Sequence, residues 1–365
     1  MSGIEGKKKF EIYFPDIYFG SEIAPMPLAA LFLFLITFGC GKRQPTMTHP
    51  PGNGPAPSSR YTGSLYEGNY IWTGAMNLCW TALSQTIIHE PIAVRTETAE
   101  ALEMADRFNH PVCTTADLDE PSYYIKAGFG PKTLEAINRE SRKKFPDKSF
   151  GDMDMTLGED DIISYAYFYK KVAYEIPFTR TDLFFDSAWV KGFEAVKEQK
   201  RTIEVLHYEN DDRFIIRLRL KSSGDELLLA KGYATHDPAE VVKALDGLPE
   251  GDASRLDADD HFMMPLLKLN CRRDYPELTG KPLANAGFTE YVIGVMFENI
   301  NFELDETGAK AESQAVIGVE RSAPTKKTGR YFYLNKPFWV IMKRNDSQNP
   351  FFLLGVNTTH IMQPK

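Results

Sequence analysis

Cysteine is scarce in this 365-residue chain, and none of the four (Cys40, Cys79, Cys113, Cys271) stands in a Cys-x-x-Cys pair. No histidine lies at ligand spacing from them, which argues against a structural zinc site. If Cys40 serves another purpose, three remain, enough for one disulfide with a thiol left over; buried apolar cysteines are the expectation. A Gly-x-Ser-x-Gly elbow, a His-Glu-x-x-His pair and an EF-hand loop are all missing. The run Gly128-Phe-Gly-Pro-Lys-Thr133 has the outline of a phosphate loop. Its Pro131 stands where a second glycine belongs and removes an N–H that phosphate would need, so a plain helix start is expected. Asp252, Asp257, Asp259 and Asp260 lack regular calcium-ligand spacing and read as a solvated loop. Nor is there an excess of positive charge: 42 Lys and Arg against 50 Asp and Glu leave a net charge of −8, which argues against nucleic acid as a partner. The basic stretches 139–144 and 326–330 read as solvated faces. No catalytic site, metal or cofactor is expected, and an enzyme whose site is not visible is the weakest of the readings.

No apolar run is long enough to span a bilayer, which takes roughly 20 residues. The longest, residues 28–38, has instead the length of a signal-peptide core. Gly39-Cys40 follows it and resembles a bacterial lipobox, in which Cys40 would be lipidated. Thr37 and Phe38 depart from that pattern, and Met26 is an alternative start. An ordinary cleaved signal and a buried apolar segment stay open as alternatives. Residues 45–59 have almost no apolar bulk and five prolines, so they read as an extended tether. The expected organisation is a leader over 1–40, a tether over 41–60 and a folded region over 61–365, in a protein that is exported and either membrane-anchored or extracellular. The membrane is reached only through the anchor, and a monomer is expected.

With 43% hydrophobic and 12% aromatic residues, there is ample material for a core. Residues 68–88 read as a buried helix around Trp72, Met76, Leu78, Trp80 and Leu83. Residues 97–108 read as a second, with Ala101, Leu102, Ala105 and Phe108 on one face, and 131–145 as a third. From 162 onward the chain is rich in Tyr, Phe and Val, and strand-like runs at 202–208, 213–220 and 226–233 are split by Asn210-Asp-Asp212 and Ser222-Ser-Gly-Asp225. Further strands are expected within 291–304, 331–342 and 351–356. Helices early and strands late predict an α+β fold.

Three stretches, in order, resemble segments of serpins. Tyr165-Ala-Tyr-Phe-Tyr-Lys170, followed by Tyr174-Glu-Ile-Pro-Phe178, is similar to the central strand of the family's large sheet. Phe302-Glu-Leu-Asp-Glu-Thr-Gly-Ala-Lys-Ala311 is similar to the strand and hinge that lead into the reactive loop. Lys336-Pro-Phe338 and Phe352-Leu-Leu-Gly-Val356 are similar to the C-terminus. The resemblance covers residues 130–357. It implies helices packed on a large mixed sheet, a second smaller sheet and an exposed reactive-type loop over about 308–330. It also implies inhibition of a serine endopeptidase by cleavage and insertion of that loop. Tyr165, Lys171 and Tyr174 replace the family's Asn, Gly and Trp, so a non-inhibitory binding or scaffold protein on this fold is a second reading.

Insertion demands that alternate residues enter a core, because strand side chains point to opposite faces in turn. Ala309, Ala311, Ser313, Ala315, Ile317 and Val319 are small or apolar, whereas Lys310, Glu312 and Gln314 are polar. Glu306, Gly308, Ala309, Ala311, Ser313 and Ala315 are the candidate hinge. The pattern ends at Arg321-Ser322-Ala323. Residue count favours cleavage at Ser322-Ala323, and chemistry favours Arg321-Ser322, because a guanidinium suits an acidic primary pocket. The partner implied is a serine protease, with trypsin-like specificity if Arg321 is the residue read.

Overall fold

The computed structural model describes residues 60–147, 151–222, 224–249, 251, 253–308 and 329–365. Cys40, the tether, Ala309, Ala311, Ser313, Ala315, Arg321, Ser322 and Ala323 lie outside them. The described chain opens with a hairpin, β1 (Ser64–Tyr66) and β2 (Asn69–Thr73), turned at Glu67 and Gly68, both at positive φ. Every residue of β2 is buried. This corrects the helix expected over 68–88: Tyr70, Ile71 and Trp72 are a strand covered on both faces, which periodicity cannot tell from a buried helix. Helix α1 (Ala75–Leu83) begins only after Gly74 and runs into one π-helical turn over Ser84–Ile88.

Helix α2 (Ala99–Asn109) buries Ala101, Met104, Ala105 and Phe108. Met104 therefore stands where Leu102 was expected, and Leu102 is 48% exposed. Strand β3 (Tyr123–Phe129) leads into α3 (Gly130–Lys144), whose last turn carries Arg142, Lys143 and Lys144 against the helix dipole. Strand β4 (Ile162–Phe168) follows. After it come β5 (Thr179–Phe185), β6 (Ala188–Glu194), β7 (Ile203–Asn210), β8 (Arg213–Leu218) and β9 (Asp225–Lys231), then helix α4 (Ala239–Asp246). The remaining strands are β10 (Ser254–Arg255), β11 (His261–Pro265), β12 (Leu267–Asp274), β13 (Phe297–Leu304), β14 (Tyr331–Tyr333), β15 (Phe338–Arg344) and β16 (Pro350–Val356).

The architecture is α+β. An eight-stranded sheet has the order β1-β2-β16-β15-β9-β8-β7-β10 and is antiparallel throughout. A four-stranded sheet, β14-β11-β6-β5, contains the parallel pair β11–β14. Strands β15 and β16 are nearly continuous apolar runs because both their faces are covered: Val340, Ile341, Leu353 and Leu354 are all at 0% exposure. The other strands form two separate ladders, β3–β4 and β12–β13. Cys113 and Cys271 are buried, Cys79 is half-buried, and all three are free thiols. Among the described residues no helix is long and apolar enough to cross a membrane.

Candidate functional site: a groove between two open ladders

Strand β4 pairs with β3 on one side and β13 pairs with β12 on one side; the other edge of each carries no ladder among the described residues. Those two edges line the same groove, a cavity of about 670 Å³. Residues 162–170 form one wall and 290–303 the other. Helix α1 supplies part of the floor through Met76, Cys79 and Trp80, and the large sheet supplies Met342 and Phe352. The alternation of each strand decides what faces the floor. On β13, Glu298, Ile300, Phe302 and Leu304 are buried. On β4, Ala166 and Phe168 pack against the main core, and Ser164 donates through its hydroxyl to the Cys79 carbonyl at 2.7 Å. Burial pushes the Cys79 thiol up to about 11, so it stays neutral.

The two open edges meet at one end of the groove. Gly308 bridges to Asp305 in a tight turn and also to Ala173 beyond the end of β4. The Tyr174 N–H donates to the Thr307 carbonyl at 3.1 Å, and the Phe178 N–H to that of Glu306 at 2.8 Å. The Asp305 carboxylate accepts from both the N–H and the hydroxyl of Thr307. Glu306 also accepts from Arg180 Nε at 2.7 Å. Gly308 sits at φ 134°, and a Cβ there would collide with the Val172 carbonyl, so only glycine fits. Of the residues named from sequence, Glu306 and Gly308 are thus placed at the closed end of the groove. The others lie outside the described residues.

The chain re-enters at Arg330, which is fastened to Asp260. Its backbone N–H donates to Asp260 Oδ1 at 2.9 Å and its Nη2 to Oδ2 at 2.6 Å. Burial raises the Asp260 pKa, yet the bonds from Arg330 hold it below the usual range. Asp260 was read as part of a solvated loop; it is 2% exposed and ion-paired. No group of three or more His, Cys, Asp or Glu side chains among the described residues is arranged to hold a metal.

Two features were not anticipated. Arg273 of β12 lies directly opposite Glu298 of β13, and both are buried. Residues 151–157 bring Met153, Met155 and Leu157 into the groove lining. The alternation Asp152-Met-Asp-Met-Thr-Leu157 was a readable signal for the second. For the first, the signal was a charge at an inward position of each strand.

The chain matches no protein-family model and no curated protein. It is similar to solved serpin structures. A highly specific serpin of the insect Tenebrio molitor shares 14% identity at a TM-score of 0.48, over 80% of this chain and 92% of that one. Human glycosylated kallistatin shares 15% at 0.48, over 79% and 91%. Thyroxine-binding globulin, solved in complex with thyroxine, shares 11% at 0.47, over 79% and 92%. The likeness concerns the fold alone.

Proposed function

We propose that the chain inhibits a serine endopeptidase by inserting residues 309–319 as a new strand between β4 and β13. The observation that carries this reading is the agreement of two registers at Gly308. Continuing the Asp305–Gly308 pair sets Ala309, Ala311, Ser313 and Ala315 opposite Leu304, Phe302, Ile300 and Glu298. Continuing the Ala173–Gly308 pair sets the same four opposite Val172, Lys170, Phe168 and Ala166. Each edge independently turns the odd-numbered residues toward the floor, and those are the small or apolar ones. An inserted strand would complete both unpaired edges, at roughly 1 kcal/mol net for each ladder bond.

Cleavage is the natural trigger. Eleven residues inserted as a strand reach about 36 Å down the groove. With Arg330 held by Asp260, residues 320–329 alone would have to carry the chain back from the far end of the inserted strand, and ten residues reach about 35 Å at full extension. Cutting at Arg321-Ser322 or Ser322-Ala323 removes that tether. Mixing the protein with trypsin-like proteases is expected to give a complex that survives SDS. Cleavage with no such complex would remove the inhibitory reading. The groove's five methionines, Met76, Met153, Met155, Met296 and Met342, form an adaptable apolar lining. They support the second reading, binding without inhibition.

Lipidation at Cys40 would hold the inhibitor at a membrane, with residues 45–59 as the spacer. Cys40→Ala is expected to move the protein from the membrane fraction to the soluble one. Limited proteolysis should cut within 45–59 before the folded region. Retention of the Cys40→Ala variant in the membrane fraction would refute the anchor.

A further inference from the structure

The groove has a third wall. Residues 151–158 run alongside α3, where Asn138 grips Met153: its side-chain amide donates to the Met153 carbonyl at 2.9 Å and accepts from the Met153 N–H at 2.9 Å. Exposure alternates along this segment. Met153, Met155 and Leu157 are half-buried, and Asp152, Asp154 and Thr156 are exposed. The three apolar side chains pack with Ile137, Ile163 and Tyr165, on the outer face of β4, and also line the groove. They therefore cover the outer mouth of the groove along its part farthest from Gly308.

We infer that Met153, Met155 and Leu157 form a receptor for the outward-facing side of the inserted strand at Val316. This rests on the insertion reading and adds a determinant to it. The registers that set Ala315 inward put Val316 outward, between Phe297 of β13 and Tyr165 of β4. The outward set is polar at Lys310, Glu312 and Gln314, then changes to Val316 and Gly318. Val316 and Gly318 fall along the stretch of β4, Tyr165 and Ile163, against which Met153, Met155 and Leu157 pack. Lys310 meets Glu303 and Lys171, a half-buried and an exposed side chain, whereas Gly318 meets Ile163, which is 7% exposed. An inserted strand is thus read on both faces at Val316 and Gly318. A lysine at 316 would set its ammonium against Met153, Met155 and Leu157 and beside Phe297, which already lies under the Arg272 guanidinium, whereas Gln314→Lys exchanges one polar side chain for another.

The test compares cleaved with intact protein for wild type, Val316→Lys and Gln314→Lys, reading the rise in thermal midpoint. Val316→Lys is expected to lose more than half of the wild-type rise, and Gln314→Lys to keep it. Hydrogen exchange supplies a second reading: amides of 151–158 should slow on cleavage in wild type and not in Val316→Lys. A wild-type rise matched in full by Val316→Lys overturns the receptor and leaves insertion standing, as does unchanged exchange at 151–158. No rise in wild type overturns both.

Discussion

Cleavage near Arg321 is expected to raise the thermal midpoint by roughly 15–20 °C, the largest single effect the groove can produce. Ladder bonds along two open edges total on the order of 10 kcal/mol, comparable to the whole stability of an ordinary domain. Substitutions divide the strand into two faces. Ala311→Arg sets a guanidinium inward against Phe302 and beside Lys170, whose ammonium is already committed to Asp119 and Asp225. Unpaired burial and like charge together should abolish the rise. Lys310→Arg lies outward, opposite Glu303, and should leave it intact. Calorimetry of cut and uncut protein checks all three. Equal midpoints for cut and uncut wild type would show that the groove does not take up the segment, and the binding reading would then stand alone.

What could be read from sequence depended on whether the controlling contacts were local. The hairpin at Asn210-Asp-Asp212 was legible because its turn residues adjoin the strands they join, and β7, β8 and β9 fall where expected. Helix α3 was legible from Pro131 and its basic last turn. Strand β2 was not, since Tyr70, Ile71 and Trp72 are buried by β16, more than 280 residues away. Strand β12 carried no expectation because Arg273 interrupts the alternation of Leu267, Leu269 and Cys271; the residue that makes its burial intelligible, Glu298, is 25 positions on. Parity in the 309–319 segment was visible in advance. The two open edges that give it meaning are a property of the tertiary fold and leave no mark on either strand.

The buried pair of Arg273 and Glu298 is unequally satisfied. Arg273 is 1% exposed, stacks 4.1 Å from the Tyr275 ring and lies 3.7 Å from Glu298 Oε1, yet none of its three side-chain nitrogens has a hydrogen-bond partner among the described residues. Glu298 is better served: Tyr275 donates to Oε1 at 2.9 Å and Thr73 to Oε2 at 3.0 Å. Burial raises the Glu298 pKa, with Arg273 and these two hydroxyls pulling the other way. The partners are unequal because a carboxyl can escape burial by taking a proton, whereas a guanidinium cannot lose one. Glu298→Gln therefore strands a permanent charge and should cost about 3–5 kcal/mol, a fall in midpoint of roughly 5–10 °C. Arg273→Met should cost less, and its cost should depend on pH. Without the guanidinium, the folded-state pKa of Glu298 rises further above its unfolded value. The folded state then binds more protons than the unfolded one, so stability is present at low pH and lost as pH rises through the folded pKa. Urea midpoints relative to wild type should improve for Arg273→Met between pH 8 and pH 5. Those for Glu298→Gln should not, since glutamine does not titrate. Arg273→Met with Glu298→Leu, which removes both charges, should return to within about 2 kcal/mol of wild type. If Glu298→Gln proves the milder of the two single variants, the guanidinium must be compensated by some other group and the two partners are not unequal in this way.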